Sequence, residues 1–302
     1  MKSIMYHYVR DKSPKLKIRN YLDFDVFCKQ LDFFEKEYGI FRMEDFQELA
    51  LGKKPTKNKV ILTFDDGLSD HYDFVLPELV KRKITGIFYI SSYPYEQKRL
   101  IDVHRVHYLI ANFDSKLLLD DIINLCGGMN INENHFLDKT YLKQNNDSNI
   151  TEIKRILNYY MSPIEKTVLL DRIFSHYCID EKELLWDFYI KEENLKEFIE
   201  SGQIIGNHTF SHQVLSSLSE SSQTEEICKT HQFIRSLGKQ EINTFCYPYG
   251  GDHVFNDFTH RILNDIDTDF SFSVESRDIT QNDLDCKRLS LPRYDCNEFM
   301  NI

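Results

Sequence analysis

The run VILTF at 60–64, the helical LPELVKRK at 76–83 and a second apolar run, TGIFYIS at 85–91, constrain this chain more than any other feature. Strands without polar alternation are suited to being covered on both faces, and an intervening helix carries the chain back to start a parallel neighbour. Such βαβ units take a right-handed crossover and belong to α/β architectures. The rest of the chain supplies more of the same alternation. SIMYHYV at 3–9 reads as a strand carrying His7, and residues 23–38 place Phe24, Phe27, Leu31 and Phe34 at helical spacing behind Asp23 or Asp25 as a cap. After the basic linker GKKPTKNK and the βαβ unit, NLKEFIESG reads as a helix ending at Gly202, and QIIGNHTFSH as a strand running into a loop. SSQTEEICKTHQFIRSLG is then a helix stopped by Gly238, and INTFCYPYGG, DFSFSVES and CKRLSLPRYD are short and β-prone. Residues 105–190 differ: polar stretches such as NINENH and KQNNDSN separate helix-like segments such as SPIEKTVLLDRIFSHY. They read as a helical insertion within one domain spanning 1–302.

Composition narrows the partners. A net charge of −11 without a long Lys/Arg run argues against nucleic acid or an anionic membrane surface. MKSIMYHYVR holds no apolar stretch of signal-peptide length, and no run is apolar for the 18 residues of a transmembrane helix, so the expected location is cytoplasmic. Seven cysteines without a CxxC pair suggest reduced thiols rather than a disulfide framework or zinc finger. The 17 Tyr and 22 Phe fill a core by default, although flat rings also cover the apolar faces of sugars.

The first apolar strand ends in Asp65, Asp66 and Gly67, which is good turn chemistry and also a place for a site. His208 and His212 follow another apolar strand, QIIG, at a spacing that on a helix would put both rings on one face. Each pair alone is unremarkable. Functional groups in parallel β/α folds gather at the carboxyl ends of strands, however, and both pairs sit there. One Asp with two His makes a three-ligand metal site with open positions, leaving the second Asp free to act as a base. Adjacent strand residues face opposite ways, so the two carboxylates share a cleft only if the chain turns, which Gly67 eases. TFCYPYGG, with Pro248 between Tyr247 and Tyr249, reads as a turn with packed aromatics or as a loop presenting a backbone N–H to an oxyanion.

TFDDG at 63–67, HTFSH at 208–212 and the PYG of FCYPYGG resemble, in order and type, the signature of the polysaccharide deacetylases, the NodB-homology or carbohydrate esterase family 4 enzymes. The resemblance covers roughly residues 1–10, 58–95 and 190–295 and leaves 105–190 aside. It implies an α/β fold, a distorted, incomplete (β/α) barrel of the NodB-homology type carrying that helical insertion, and metal-dependent removal of acetyl groups from sugars. By position, Asp65 resembles the catalytic base, while Asp66, His208 and His212 resemble the ligands of a divalent metal, zinc first, with cobalt or nickel as alternatives. The metal would polarise the acetyl carbonyl and a water, and the Tyr249 backbone N–H would stabilise the oxyanion.

Two departures bear on mechanism. The family's late Leu-x-His motif, which supplies a general acid, is absent, since His260 is the last histidine. A subset that includes the biofilm-polysaccharide deacetylases looks circularly permuted, and its amino-terminal strand resembles MYHYV, which makes His7 the candidate acid. The arginine that orients the base is also missing: Thr244 and Tyr247 stand where family arginines often lie, and Arg293 in LPRYD, or else Arg288, is the candidate replacement. The implied substrate is an acetylated sugar, with N-acetyl favoured over O-acetyl. A nucleotide sugar or lipid-linked glycan in bacterial surface-glycan biosynthesis is preferred to finished polymer because no export signal is evident. The alternatives are a catalytically silent carbohydrate-binding protein of the same fold and an amide hydrolase for a non-sugar substrate. His104 and His107 read as one helix face, Asp120 and Asp121 as a helix amino terminus, and Trp186 and Cys246 as packing residues.

Overall fold

The computed structural model describes residues 1–11, 16–53, 58–127 and 147–300. Among the described residues nine strands are present: β1 (Lys2–Tyr6), β2 (Val9–Arg10), β3 (Leu22–Asp23), β4 (Val60–Phe64), β5 (Ile87–Ile90), β6 (Ile204–Asn207), β7 (Thr244–Cys246), β8 (Phe270–Phe272) and β9 (Tyr294–Asp295). Seven of them form one sheet in the order β8-β7-β6-β5-β4-β1-β9, while β2 and β3 pair separately. Every pairing between these strands is parallel, from Lys2 opposite Val60 to Cys246 opposite Phe272. Leu291 bridges to Phe272 of β8, and three residues later Tyr294 pairs with Ile4 of β1, so the segment 291–295 reaches across both edges of the curled sheet. This is the incomplete (β/α) barrel that the sequence leads one to expect.

Strand alternation sorts the apolar residues into two layers. Leu62, Phe64, Phe88, Ile90 and Ile205 face a cluster built with Phe27, Leu31, Phe34, Leu79, Leu195 and Phe198 from surrounding helices. Ile61, Ile87, Tyr89, Ile204, Phe270 and Leu291 turn the other way, into a cluster that also takes Phe41, Phe46 and Leu49. The helix Phe24–Glu37 starts at Asp23, whose side chain caps Asp25 N–H. The helix Glu220–Leu237 ends at Gly238, as its sequence suggests. The strand expected over 3–9 breaks after Tyr6, and Val9–Arg10 turns to pair with Leu22–Asp23 instead.

The chain divides into two compact units: Met1–Pro14, Tyr21–Gln97 and Trp186–Ile302 form one, Lys15–Asn20 and Lys98–Leu185 the other. The second unit is helical and holds its own core of Val106, Leu109, Leu118, Ile122, Ile150, Ile153, Leu169 and Ile173. Its buried Arg105 pairs with Asp171 at 2.6 Å and lies 4.5 Å from the centre of the Phe174 ring. NINENH, most of KQNNDSN and the middle of the GKKPTKNK linker fall outside the described residues. Asp120 and Asp121 do not start a helix: Asp114 caps Ser115–Cys126, and Asp121 instead accepts a hydrogen bond from the Tyr177 hydroxyl at 2.6 Å. Trp186 is half-buried against the barrel's outer cluster, and His104 is fully buried in the helix Asp102–Asn112. The cysteines are free thiols, and no helix among the described residues is long and apolar enough to cross a membrane.

Candidate metal and catalytic centre

Asp65 continues the parity of Ile61 and Thr63 and so points into the barrel, its N–H extending the ladder to the Tyr6 carbonyl at 2.9 Å. Asp66, next in line, would face the helices if the strand went on. Instead it takes a left-handed φ of 78° and Gly67 follows at 63°. Left-handed backbone is costly for a non-glycine residue and recurs where a site demands it. The turn brings Asp66 Oδ1 to 3.4 Å from the Nε2 atoms of both His208 and His212. Thr209, His212 and Tyr249 share the left-handed region, at φ 63°, 59° and 63°.

The two histidines lie on a loop rather than a helix, so their spacing acts through a turn. Asn207 accepts Thr209 N–H at 2.9 Å, Thr209 Oγ1 accepts His212 N–H at 3.1 Å, and the Thr230 hydroxyl donates to the Thr209 carbonyl at 2.9 Å. The buried Glu226, reaching in from Glu220–Leu237, accepts Ser211 N–H at 2.8 Å and the Ser211 hydroxyl. Thr209 and Ser211 are thereby tied to the adjacent helix.

His208 Nδ1 lies 2.8 Å from the Cys246 carbonyl. A carbonyl only accepts, so Nδ1 carries the proton and the Nε2 lone pair faces Asp66. Two acceptors that close require a cation or a proton between them. Burial disfavours a charged His208, but Cys246, Asp66 and Asp65 outweigh it and hold its proton affinity well above the ordinary histidine range. One carboxylate and two imidazoles, all buried and with ligand atoms within 4.8 Å of one another, are also the donor set of a zinc-type site with open positions. The residues present fit a divalent metal.

Arg293, on the segment that bridges the barrel edges, donates to Asp65 Oδ1 and Oδ2 at 2.8 Å each, to Thr63 Oγ1 at 2.9 Å and to the Ser273 carbonyl at 3.2 Å. Its fork also reaches Cys246 Sγ at 2.9 Å, and that sulfur lies 3.6 Å from Asp65 Oδ2. Burial alone would raise the Asp65 pKa, but Arg293 and then His208 hold it below the usual carboxylate value. Arg288 turns elsewhere, to the carbonyls of Leu49 and Ala50 at 3.0 and 3.3 Å. Of the positions where family arginines often lie, Thr244 bonds the Tyr89 hydroxyl at 2.7 Å and Tyr247 donates to the Leu289 carbonyl at 2.5 Å.

His7 follows β1 and is half-buried. The Tyr249 ring lies 5.0 Å from that of His212. Sequence reading misses the part played by Cys246, whose carbonyl sets the His208 tautomer and whose sulfur touches the Asp65–Arg293 pair. It also misses His71, whose Nε2 lies 2.8 Å from the His7 carbonyl. The signal available for His71 is its place just behind TFDDG.

Residues 141–270 match the family model described as polysaccharide deacetylase, a span that begins inside the segment read as an insertion. No curated protein matches. Among solved structures, the Streptococcus pyogenes deacetylase PplD in complex with acetate aligns with a TM-score of 0.57 at 18% identity, over 98% of this chain and 91% of that one. The BpsB deacetylase domain from Bordetella bronchiseptica gives 0.56 at 11% identity, over 97% and 94%. A de-N-acetylase from Aggregatibacter actinomycetemcomitans gives 0.55 at 12%, over 97% and 93%. At these identities the structures share the fold.

Proposed function

We propose that this chain, a member of the polysaccharide deacetylase family, is a metal-dependent hydrolase that removes an acetyl group from a sugar, with N-acetyl favoured. The observation that carries the reading is the meeting of two groups at the carboxyl ends of the strands. One is a buried carboxylate held by an arginine fork; beside it lies a buried Asp–His–His set. A divalent ion held by Asp66, His208 and His212 would polarise the acetyl carbonyl and make water more acidic. Asp65, kept ionised by Arg293, takes the proton from the attacking water. Arg293 fixes the carboxylate plane through two parallel hydrogen bonds, so the base meets the water in one orientation. His7 gives a proton to the departing nitrogen, and the Tyr249 N–H donates to the oxyanion. Small acetylated intermediates, nucleotide-linked or lipid-linked, are the substrate class proposed, within surface-glycan assembly.

Elemental analysis of the purified protein beside a His208→Ala/His212→Ala variant, with acetate release from an N-acetylglucosamine pentamer and UDP-N-acetylglucosamine, tests this. The expectation is about one divalent ion per chain, absent from the variant, and acetate release that Asp65→Asn abolishes. A chain that takes up no metal on reconstitution and binds these sugars without cleaving them would instead be a silent binding protein.

A further inference from the structure

We propose that Asp70 and His71 form a two-point clamp that positions His7; the inference rests on the reading of His7 as the proton donor. His7 and Tyr8 occupy the break between β1 and β2; the Tyr8 carbonyl already accepts Leu22 N–H at 2.8 Å, whereas His7 lies in neither strand. His71 holds it from the far side of the catalytic loop. It is fully buried, and because the His7 carbonyl can only accept, the proton sits on Nε2. Its ring packs 5.6 Å from Phe64 and 5.8 Å from Phe88, which leaves it little freedom. Asp70, one residue earlier, accepts Arg10 Nε and Nη2 at 2.8 Å each and also the Val9 N–H. Arg10 is 3% and Asp70 5% exposed.

A buried ion pair of this kind is weak evidence for stability, because desolvation offsets its attraction; what it supplies is a single geometry. Residues 7 to 10 are thus held from both ends by the start of the helical segment that directly follows Asp65 and Asp66. The proton donor, the base and one metal ligand move as one body, and a 1 Å misplacement of a catalytic group costs on the order of a hundredfold in rate.

The test uses two substrates that differ in their need for an acid. The N-acetylglucosamine pentamer must have its leaving nitrogen protonated, whereas 4-nitrophenyl acetate releases a phenolate that needs no proton. His71→Phe keeps a ring among Phe64 and Phe88 but loses the donor. It is expected to lower kcat on the pentamer by about tenfold or more, with KM and the ester rate unchanged. His71→Gln, whose amide can donate to the same carbonyl, should recover most of the loss. In a His7→Ala background, His71→Phe should change nothing further. Equal losses on both substrates, or an undiminished loss in the His7→Ala background, would overturn the clamp. Should His71→Phe not fold, Arg10→Lys, which keeps the charge and loses the fork, is read by the same split. The His7 imidazole NMR signals report independently of substrate: they move in His71→Phe, and unmoved signals would also overturn it. A His7→Ala enzyme that cleaves the pentamer at full rate would instead refute the donor role itself.

Discussion

Replacing Arg293 by Met removes the guanidinium and keeps much of the side-chain volume. Asp65 is then left 2% exposed with no arginine at 2.8 Å. Removing one partner of a buried ion pair costs about 3–5 kcal/mol, mostly the penalty of the orphaned charge. The bonds from Arg293 to Thr63 and the Ser273 carbonyl are lost as well. Against a total stability of about 5–15 kcal/mol for a typical domain, the change is large. Its pH dependence identifies the cause. In the native protein Arg293 and His208 hold Asp65 below its ordinary value, so this contribution is present above an unfolded pKa of about 3.9 and is lost as pH falls. In the variant burial dominates, the Asp65 pKa rises, and the ionised form is penalised at neutral pH. The deficit relative to the native protein should therefore be greatest at pH 7–8 and shrink toward pH 5. Urea unfolding followed by circular dichroism measures it. Asp65→Asn added to Arg293→Met removes the orphaned charge and should recover about 2 kcal/mol or more. A deficit that is flat with pH, together with a double variant no more stable than the single one, would refute the argument.

Burial pushes His71 down from 6.5 to about 4. Its contribution is therefore complete above pH 6.5 and lost as pH falls to about 4, worth up to about 3 kcal/mol; urea unfolding of His71→Asn should show a flatter stability curve across that window. Glu226→Ala frees the Ser211 turn and should weaken metal affinity about ten- to a hundredfold in a chelator competition, while the fold stays native by circular dichroism. An added Cβ at Gly206 would lie 2.3 Å from Tyr89 Cε1, so Gly206→Ala must displace a ring whose hydroxyl bonds Thr244. A loss of about 2 kcal/mol in thermal unfolding is expected, and an unchanged midpoint would show that the ring yields freely.

Much of the frame is legible in the sequence because its causes are local. VILTF is buried at every position and apolar at all but Thr63 because the sheet has a layer on each face, and Gly238 ends a helix wherever that helix is packed. The turn after the strand is foreseen at Gly67, but it begins one residue earlier, at Asp66, which carries the strain itself. Arg293 is named from LPRYD by resemblance; nothing local distinguishes it from Arg288, and only the closing of the barrel brings one fork rather than the other to Asp65. The Cys246 carbonyl leaves no trace in a sequence, since every residue has a carbonyl. The His7–His71 bond joins residues 64 positions apart, and it exists only because β1 and β4 are neighbours. Asp120 and Asp121 mislead because Asp114, a few residues upstream, already caps their helix.

The segment 291–295 that joins the two edges of the barrel also sets an order in time. Arg293 lies 228 positions after Asp65, so on the ribosome the carboxylate is made long before its counter-charge. Until that segment docks, Asp65 is ionised in contact with water, and burying it without Arg293 would carry the cost of an orphaned charge. The closing of the barrel and the pairing of Asp65 are therefore one event: a segment made near the end of the chain completes the charge balance of a strand end made near its start.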